Sequence, residues 1–186
     1  MRYKLVLVFA LLFAPFSAAM ADRFQDTIEV FRNAGESGAF FGQSYGYAVF
    51  PTIGRAGIGI GGARGNGRVF VGDKPVGDTT MTQLTIGLQL GAQGYSMIVF
   101  FEDERAFKEF TSGGFEFSAQ AKAVAITAGA SASTSTAGSS AGASGGRNDA
   151  TTVGGFHRGT AIFTVARGGL MYEASIGGAR FSYRPL

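Results

Sequence analysis

The spacing of apolar positions changes from helical to alternating and back along this chain. Phe24, Ile28 and Phe31 fall at i, i+4 and i+7, with Asp22, Asp26, Glu29 and Arg32 off that stripe. This predicts a short amphipathic helix, ended by Gly35 and Gly38. From Tyr45 the period becomes two. Tyr47-Ala48-Val49-Phe50 predicts a strand stopped by Pro51, and Ala56 to Gly62 alternates strictly, with isoleucines on one side and glycines on the other. Gly65-Asn66-Gly67 predicts a hairpin turn into Arg68 to Val71. A polar loop around Asp73, Lys74, Pro75 and Asp78 then leads to a second alternating strand, Thr85 to Gln93. Tyr95 to Phe101 is apolar almost throughout, as a central strand would be.

Glu102, Asp103 and Glu104 open a second helix, where three acids suit the positive end of the helix dipole. Ala106, Phe107 and Phe110 give it an inner face, and Gly113-Gly114 stops it. Phe115 to Ile126 reads as strand again. Residues 128–146 are almost wholly Ala, Ser, Thr and Gly, a low-complexity stretch with little to bury, and read as a flexible loop. Thr160 to Val165 and Gly169 to Tyr183 predict two strands closing as a hairpin around Arg167-Gly168-Gly169. The expected class is α+β: a mainly antiparallel, curled or barrel-like glycine-rich β-sheet with two or three short helices.

The chain holds 30 glycines in 186 residues, about twice the ~7% average share. A glycine inside a strand brings no packing side chain, so a regular row needs a reason. Either another element presses close to the bare backbone, or the bare strip floors a groove for an alkyl chain.

Residues 1–21 change the reading of charge. Arg2 and Lys4 precede an apolar run from Leu5 to Phe16, and Ala19-Met20-Ala21 has the small-x-small form of a signal-peptidase site. A signal peptide over 1–21, cleaved after Ala21, leaves residues 22–186 as a single domain in the periplasm or outside the cell. Losing Arg2 and Lys4 takes the formal net charge from +3 to +1. With no block of consecutive Lys or Arg, a nucleic-acid partner is not expected. The chain has no cysteine, which excludes disulfides, thiolate metal sites and cysteine nucleophiles.

Enzyme chemistry finds little to work with. His157 is the single histidine, and no Gly-x-Ser-x-Gly motif accompanies it. Gly57-Ile58-Gly59-Ile60-Gly61-Gly62 satisfies the Gly-x-Gly-x-x-Gly spacing of dinucleotide sites, but that motif must open a helix, and here the isoleucines alternate with period two. No catalytic residue, cofactor or metal site is assigned.

Three ordered motifs resemble the SYLF lipid-binding domain family. Tyr47-Ala48-Val49-Phe50-Pro51 followed by Arg55-Ala56-Gly57-Ile58-Gly59-Ile60-Gly61-Gly62 is similar to its opening. Gly87-Leu88-Gln89-Leu90-Gly91-Ala92-Gln93 resembles its Gly-x-Gln-x-Gly-x-Gln strand, and Phe163 through Gly169-Leu170 to Gly178 resembles its closing segment. The resemblance implies a non-catalytic module that binds phospholipid or a membrane surface, acting at the envelope. It implies Arg55 as the headgroup contact. A lipid-binding module would then use Lys74 and Arg167 as further cations and Phe24, Ile28 and Phe31, with Phe40 and Phe41, as an apolar face for the interface. A structural or protein-interaction factor of the bacterial envelope, with an envelope protein as partner and no lipid ligand, is the alternative.

Overall fold

Apolar runs on either side of one tight turn make a single long hairpin. In the computed structural model, which describes residues 22–117, 122–126, 155–167 and 174–186, β1 (Gly46–Val71) and β2 (Lys74–Phe101) pair antiparallel from Gly46 opposite Phe101 to Val71 opposite Lys74. The register shifts at Phe50/Ile53, Ile58/Ile60 and Val69/Phe70. Such bulges bend and twist a strand, and the ribbon doubles back on itself around residues 57–61. Close contact between its two halves then demands glycine. A Cβ on Gly67 would stand 2.6 Å from the Phe50 ring and 2.8 Å from the Val49 carbonyl oxygen, and one on Gly65 would stand 2.9 Å from the Thr52 carbonyl oxygen. At these positions the bare backbone is there to be packed against.

β2 is the spine of the sheet. Along its far edge β5 (Thr160–Arg167) pairs with Gly94 to Phe101, and β7 (Arg180–Pro185) pairs with Gly77 to Thr82. β3 (Phe115–Glu116) adds to β7, while β4 (Lys122–Ile126) lies parallel to β5 and carries β6 (Ala174–Ser175) on its other edge. The result is a mostly antiparallel sheet curled into a half-barrel.

Each face of the ribbon's near half buries a core. Inside the fold, Ala48, Phe50, Met97, Val99 and Phe101 meet Phe181 and the inner face of α3 (Glu104–Thr111), Ala106 and Phe110. On the other face Tyr47, Val49, Ile98 and Phe100 meet Phe24, Ile28 and Phe31 of α1, which is helical over residues 22–33. A short helix α2 (Gly35–Gly38) and a 3-10 turn (Ala39–Gly42) follow and set Phe40 5.6 Å from the Phe100 ring and 5.1 Å from the Phe163 ring. Burial on both faces explains the continuous apolar run. Each buried phenylalanine contributes about 1.5–3 kcal/mol relative to an exposed one.

α3 begins where Asp103 accepts the Ala106 N–H at 2.8 Å, a cap worth about 1 kcal/mol. The pairs Glu104–Lys108 (2.9 Å) and Arg105–Glu109 (3.2 Å) line its outer face. Gly113 and Gly114 end it with φ of +86° and +83°, which side-chain-bearing residues resist.

The structure changes five sequence expectations. Pro51 does not stop a strand: it sits within β1 beside the first bulge, and its carbonyl accepts the Ser96 hydroxyl at 2.7 Å. Gly65-Asn66-Gly67 is not a turn, because Gly65 pairs opposite Met81 and Gly67 opposite Thr79 within the same ribbon. The turn falls at Gly72-Asp73, and the polar loop after it is strand from Lys74. Phe115 to Ile126 is not one strand: β3 joins β7, which lies against Gly77–Thr82, whereas β4 joins β5, which lies against Gly94–Phe101 at the other end of the same edge of β2. Among the described residues the closing hairpin is not formed either: β5 pairs with Gly94–Phe101 and β7 with Gly77–Thr82 of β2, and not with each other. Residues 1–21, the low-complexity stretch 128–146 and Gly168-Gly169 lie outside the described residues.

Candidate functional site

The fold leaves one part of the ribbon unsealed. At the bend, glycine and alanine replace the phenylalanines of the near half, and an open depression of about 550 Å³ lies there, floored by Gly54, Gly62, Ala63 and Gly94 and flanked by Arg55 and Arg64. A Cβ on Gly54 would meet nothing within 4 Å. At Gly54 the floor is bare backbone with open space above it.

Alternation places the two arginines. Beyond the first bulge Ile53 is buried, Gly54 exposed and Arg55 half-buried, so Arg55 follows Ile53 on the inner face and stands at the rim of the core. Just below it, Tyr95 pairs opposite Ile53 and is itself buried. Burial pushes the Tyr95 phenol up to about 12, while the Arg55 charge pulls it back part of the way. Arg55 thus projects positive potential into this end of the core. Arg64 pairs opposite Thr82 and is exposed on the outer face.

The other cations expected from sequence are divided. Arg167 ends β5 opposite Gly94, which in turn pairs with Gly54, so its backbone stands level with the depression; its side chain lies outside the described residues. Lys74 is elsewhere. It follows the Gly72-Asp73 turn at the opposite end of the ribbon, nineteen residues along the chain from Arg55, and folding back brings that turn beside Gly46.

Near that turn lies a second hollow of about 400 Å³, lined by Arg32, Phe41, Tyr47 and Asp73 among others. Arg32 pairs with Asp73 at 3.3 Å and stacks 4.9 Å above the Phe41 ring. Tyr47 is raised mainly by burial, further by the Asp73 charge, and is lowered by Arg32. These contacts fasten α1 to the ribbon. The stripe of Phe24, Ile28 and Phe31 is buried beneath it, with the Arg68 guanidinium 4.9 Å over the Phe24 ring. In this arrangement the stripe faces the sheet.

Arg64 was missed in the sequence because the residues after it read as a turn. The signal was present: the alternation of Ile60, Gly62, Arg64 and Asn66 continues unbroken through that stretch. His157 sits exposed in the turn before β5, its backbone bridged to Thr160. Among the described residues no three acidic or histidine side chains gather as metal ligands would, and no helix is long and apolar enough to cross a membrane.

A family model described as "Ysc84: Las17-binding protein actin regulator" matches residues 82–185. That description is of a binding protein. The matched range takes in the β2 side of the bend and everything after it, while β1, with Arg55 and Arg64, precedes it. No curated protein matches the chain.

Proposed function

Since the chain belongs to the Ysc84 (SYLF) family, we propose that it is a non-catalytic binding domain that engages anionic phospholipid at a membrane surface. One observation carries this reading: a depression floored by bare glycine backbone and flanked by two arginines. A floor without side chains lets a headgroup and the first acyl carbons approach closely. The guanidiniums supply forked donors suited to phosphate, worth about 1 kcal/mol each near an anionic surface.

The proposal extends to export. The leader over residues 1–21 would be removed after Ala21, leaving 22–186 as one domain acting at the envelope, in the periplasm or outside the cell. The mature protein recovered from a periplasmic or culture fraction should begin at Asp22; recovery of uncleaved protein only from the cytoplasm would end this part of the reading.

Sedimentation with phospholipid vesicles tests the binding. Recovery should rise with the anionic lipid fraction, fall with added salt, and be largely lost in an Arg55→Ala/Arg64→Ala double variant. Equal recovery with neutral and anionic vesicles would overturn the headgroup role. The family's description favours a second reading, a protein partner. Native mass spectrometry separates the two: co-purifying phospholipid supports the first, and a lipid-free protein that carries a bound polypeptide supports the second.

A further inference from the structure

The ribbon bend exposes two large aliphatic side chains on one face. Ile60 is 67% and Leu84 71% accessible. Leu84 pairs opposite Gly62, Ile60 opposite Ile86 and Arg64 opposite Thr82. Residues paired across an antiparallel ladder share a face, and their diagonal neighbours stand roughly 7–8 Å apart. Leu84 therefore lies between Ile60 on one diagonal and Arg64 on the other, with the bare Gly62 directly across from it. Soluble surfaces carry isolated leucines without consequence, but this pair stands beside a cation and a glycine-floored depression.

The charge of the surroundings is one-sided. No Asp or Glu occurs between Glu36 and Asp73 or between Asp78 and Glu102, so the whole bend is free of carboxylates. At the turn end Asp78 is paired with Arg68 at 3.0 Å. Across β7 from Thr82, Glu116 is held by Arg180 at 2.8 Å. An apolar tip beside Arg64, with Arg55 at the neighbouring rim and no acid in either strand there, is complementary to a layer whose surface is anionic and whose interior is hydrocarbon.

We infer that the domain docks on an anionic bilayer through the ribbon bend, with Ile60 and Leu84 inserted at the acyl boundary, Arg55 and Arg64 at headgroup depth, and α1 turned away from the lipid. The inference rests on the lipid reading above and adds the docking surface and its orientation. It assigns the apolar contact to the strand bend in place of the helical stripe, which the sheet already covers.

The chain has no tryptophan, so a single introduced one reports its own surroundings. Ile60→Trp, Leu84→Trp and, on the outer side of α1, Val30→Trp (43% accessible) would each be mixed with vesicles of phosphatidylcholine and phosphatidylglycerol whose acyl chains are brominated. At Ile60 and Leu84 the emission should shift to the blue and be quenched about twofold or more, as fits burial ~5–10 Å into the boundary. At Val30 it should be unchanged. Ile60→Asp and Leu84→Asp should each weaken vesicle binding by about tenfold or more, the ratio implied by losing the burial of one such side chain.

Quenching at Val30 but not at the bend, with the wild type still sedimenting, overturns this orientation and leaves the lipid reading standing. A protein that ignores anionic vesicles altogether ends both. A dimer that dissociates in the Ile60→Asp variant would assign the bend to a second copy of the chain and overturn the inference as well.

Discussion

The two ends of one hairpin ribbon are built on opposite plans. The near half, Gly46 to Ile53 against Tyr95 to Phe101, is filled with large side chains and sealed on both faces, by α3 on one and α1 on the other. The bend, Gly54 to Arg64 against Thr82 to Gly94, shares its strands and ladder with the near half, but Gly54, Ala56 and Gly62 are open to solvent. Stability is concentrated at one end, and surface available to a ligand at the other. The lesson is that glycine serves two purposes within 26 residues of one strand. At Gly65 and Gly67 it admits another part of the chain, and at Gly54 it leaves space empty.

The comparison can be broken most forcefully at Phe100, which is fully buried and within 6.0 Å of the Phe40, Phe41, Tyr47 and Phe163 rings. Phe100→Ala should cost about 3–5 kcal/mol in denaturant unfolding. A cost below about 1 kcal/mol would mean that the near half is not the stabilising end.

Next comes an alkaline limit. Unfolded tyrosine loses its proton near pH 10, whereas Tyr95 in the fold holds it to about 12. The folded state keeps the proton that the unfolded state gives up, so this contribution is complete below pH 10 and is lost as pH rises through 12. The slope is about 1.4 kcal/mol per pH unit in that window. Tyr95→Phe should flatten it, which unfolding midpoints between pH 9 and pH 12 would check; Tyr47 and Tyr183, both raised mainly by burial, retain a weaker dependence.

A glycine pair sharpens the contrast further. Gly67→Ala should destabilise by about 1–3 kcal/mol, because the Phe50 ring and the Val49 carbonyl must give way. Gly54→Ala meets no neighbour and should be neutral or stabilising by up to about 1 kcal/mol through the unfolded chain. Equal effects at the two sites would erase the distinction. The smallest effect belongs to Arg64→Ala, which should leave thermal unfolding within about 0.5 kcal/mol while reducing vesicle recovery.

Much of this is legible in the sequence. The i, i+4, i+7 stripe, the acidic start and Gly-Gly stop of α3, and the apolar run of a central strand each depend on neighbours a few residues away, and each stands where expected. What failed in the reading was punctuation. Pro51 and Gly65-Asn66-Gly67 carry strong local signals for a stop and a turn, yet both lie inside a 26-residue strand. Continuous pairing with β2 outweighed those signals, and a bulge accommodated the proline. Misreading the second as a turn also hid Arg64.

The sequence by itself determined that the chain forms a glycine-rich, mainly antiparallel sheet with short helices, because local periodicity and helix-end residues need no distant partner to be recognised. Only the tertiary structure decided that the Phe24, Ile28 and Phe31 stripe faces the sheet, that Lys74 stands apart from Arg55, and that Arg64 joins Arg55 at an open floor. These outcomes follow from where the ribbon bends. The bend depends on bulge positions and on contacts between residues far apart in sequence, which no local pattern of apolar and polar positions encodes.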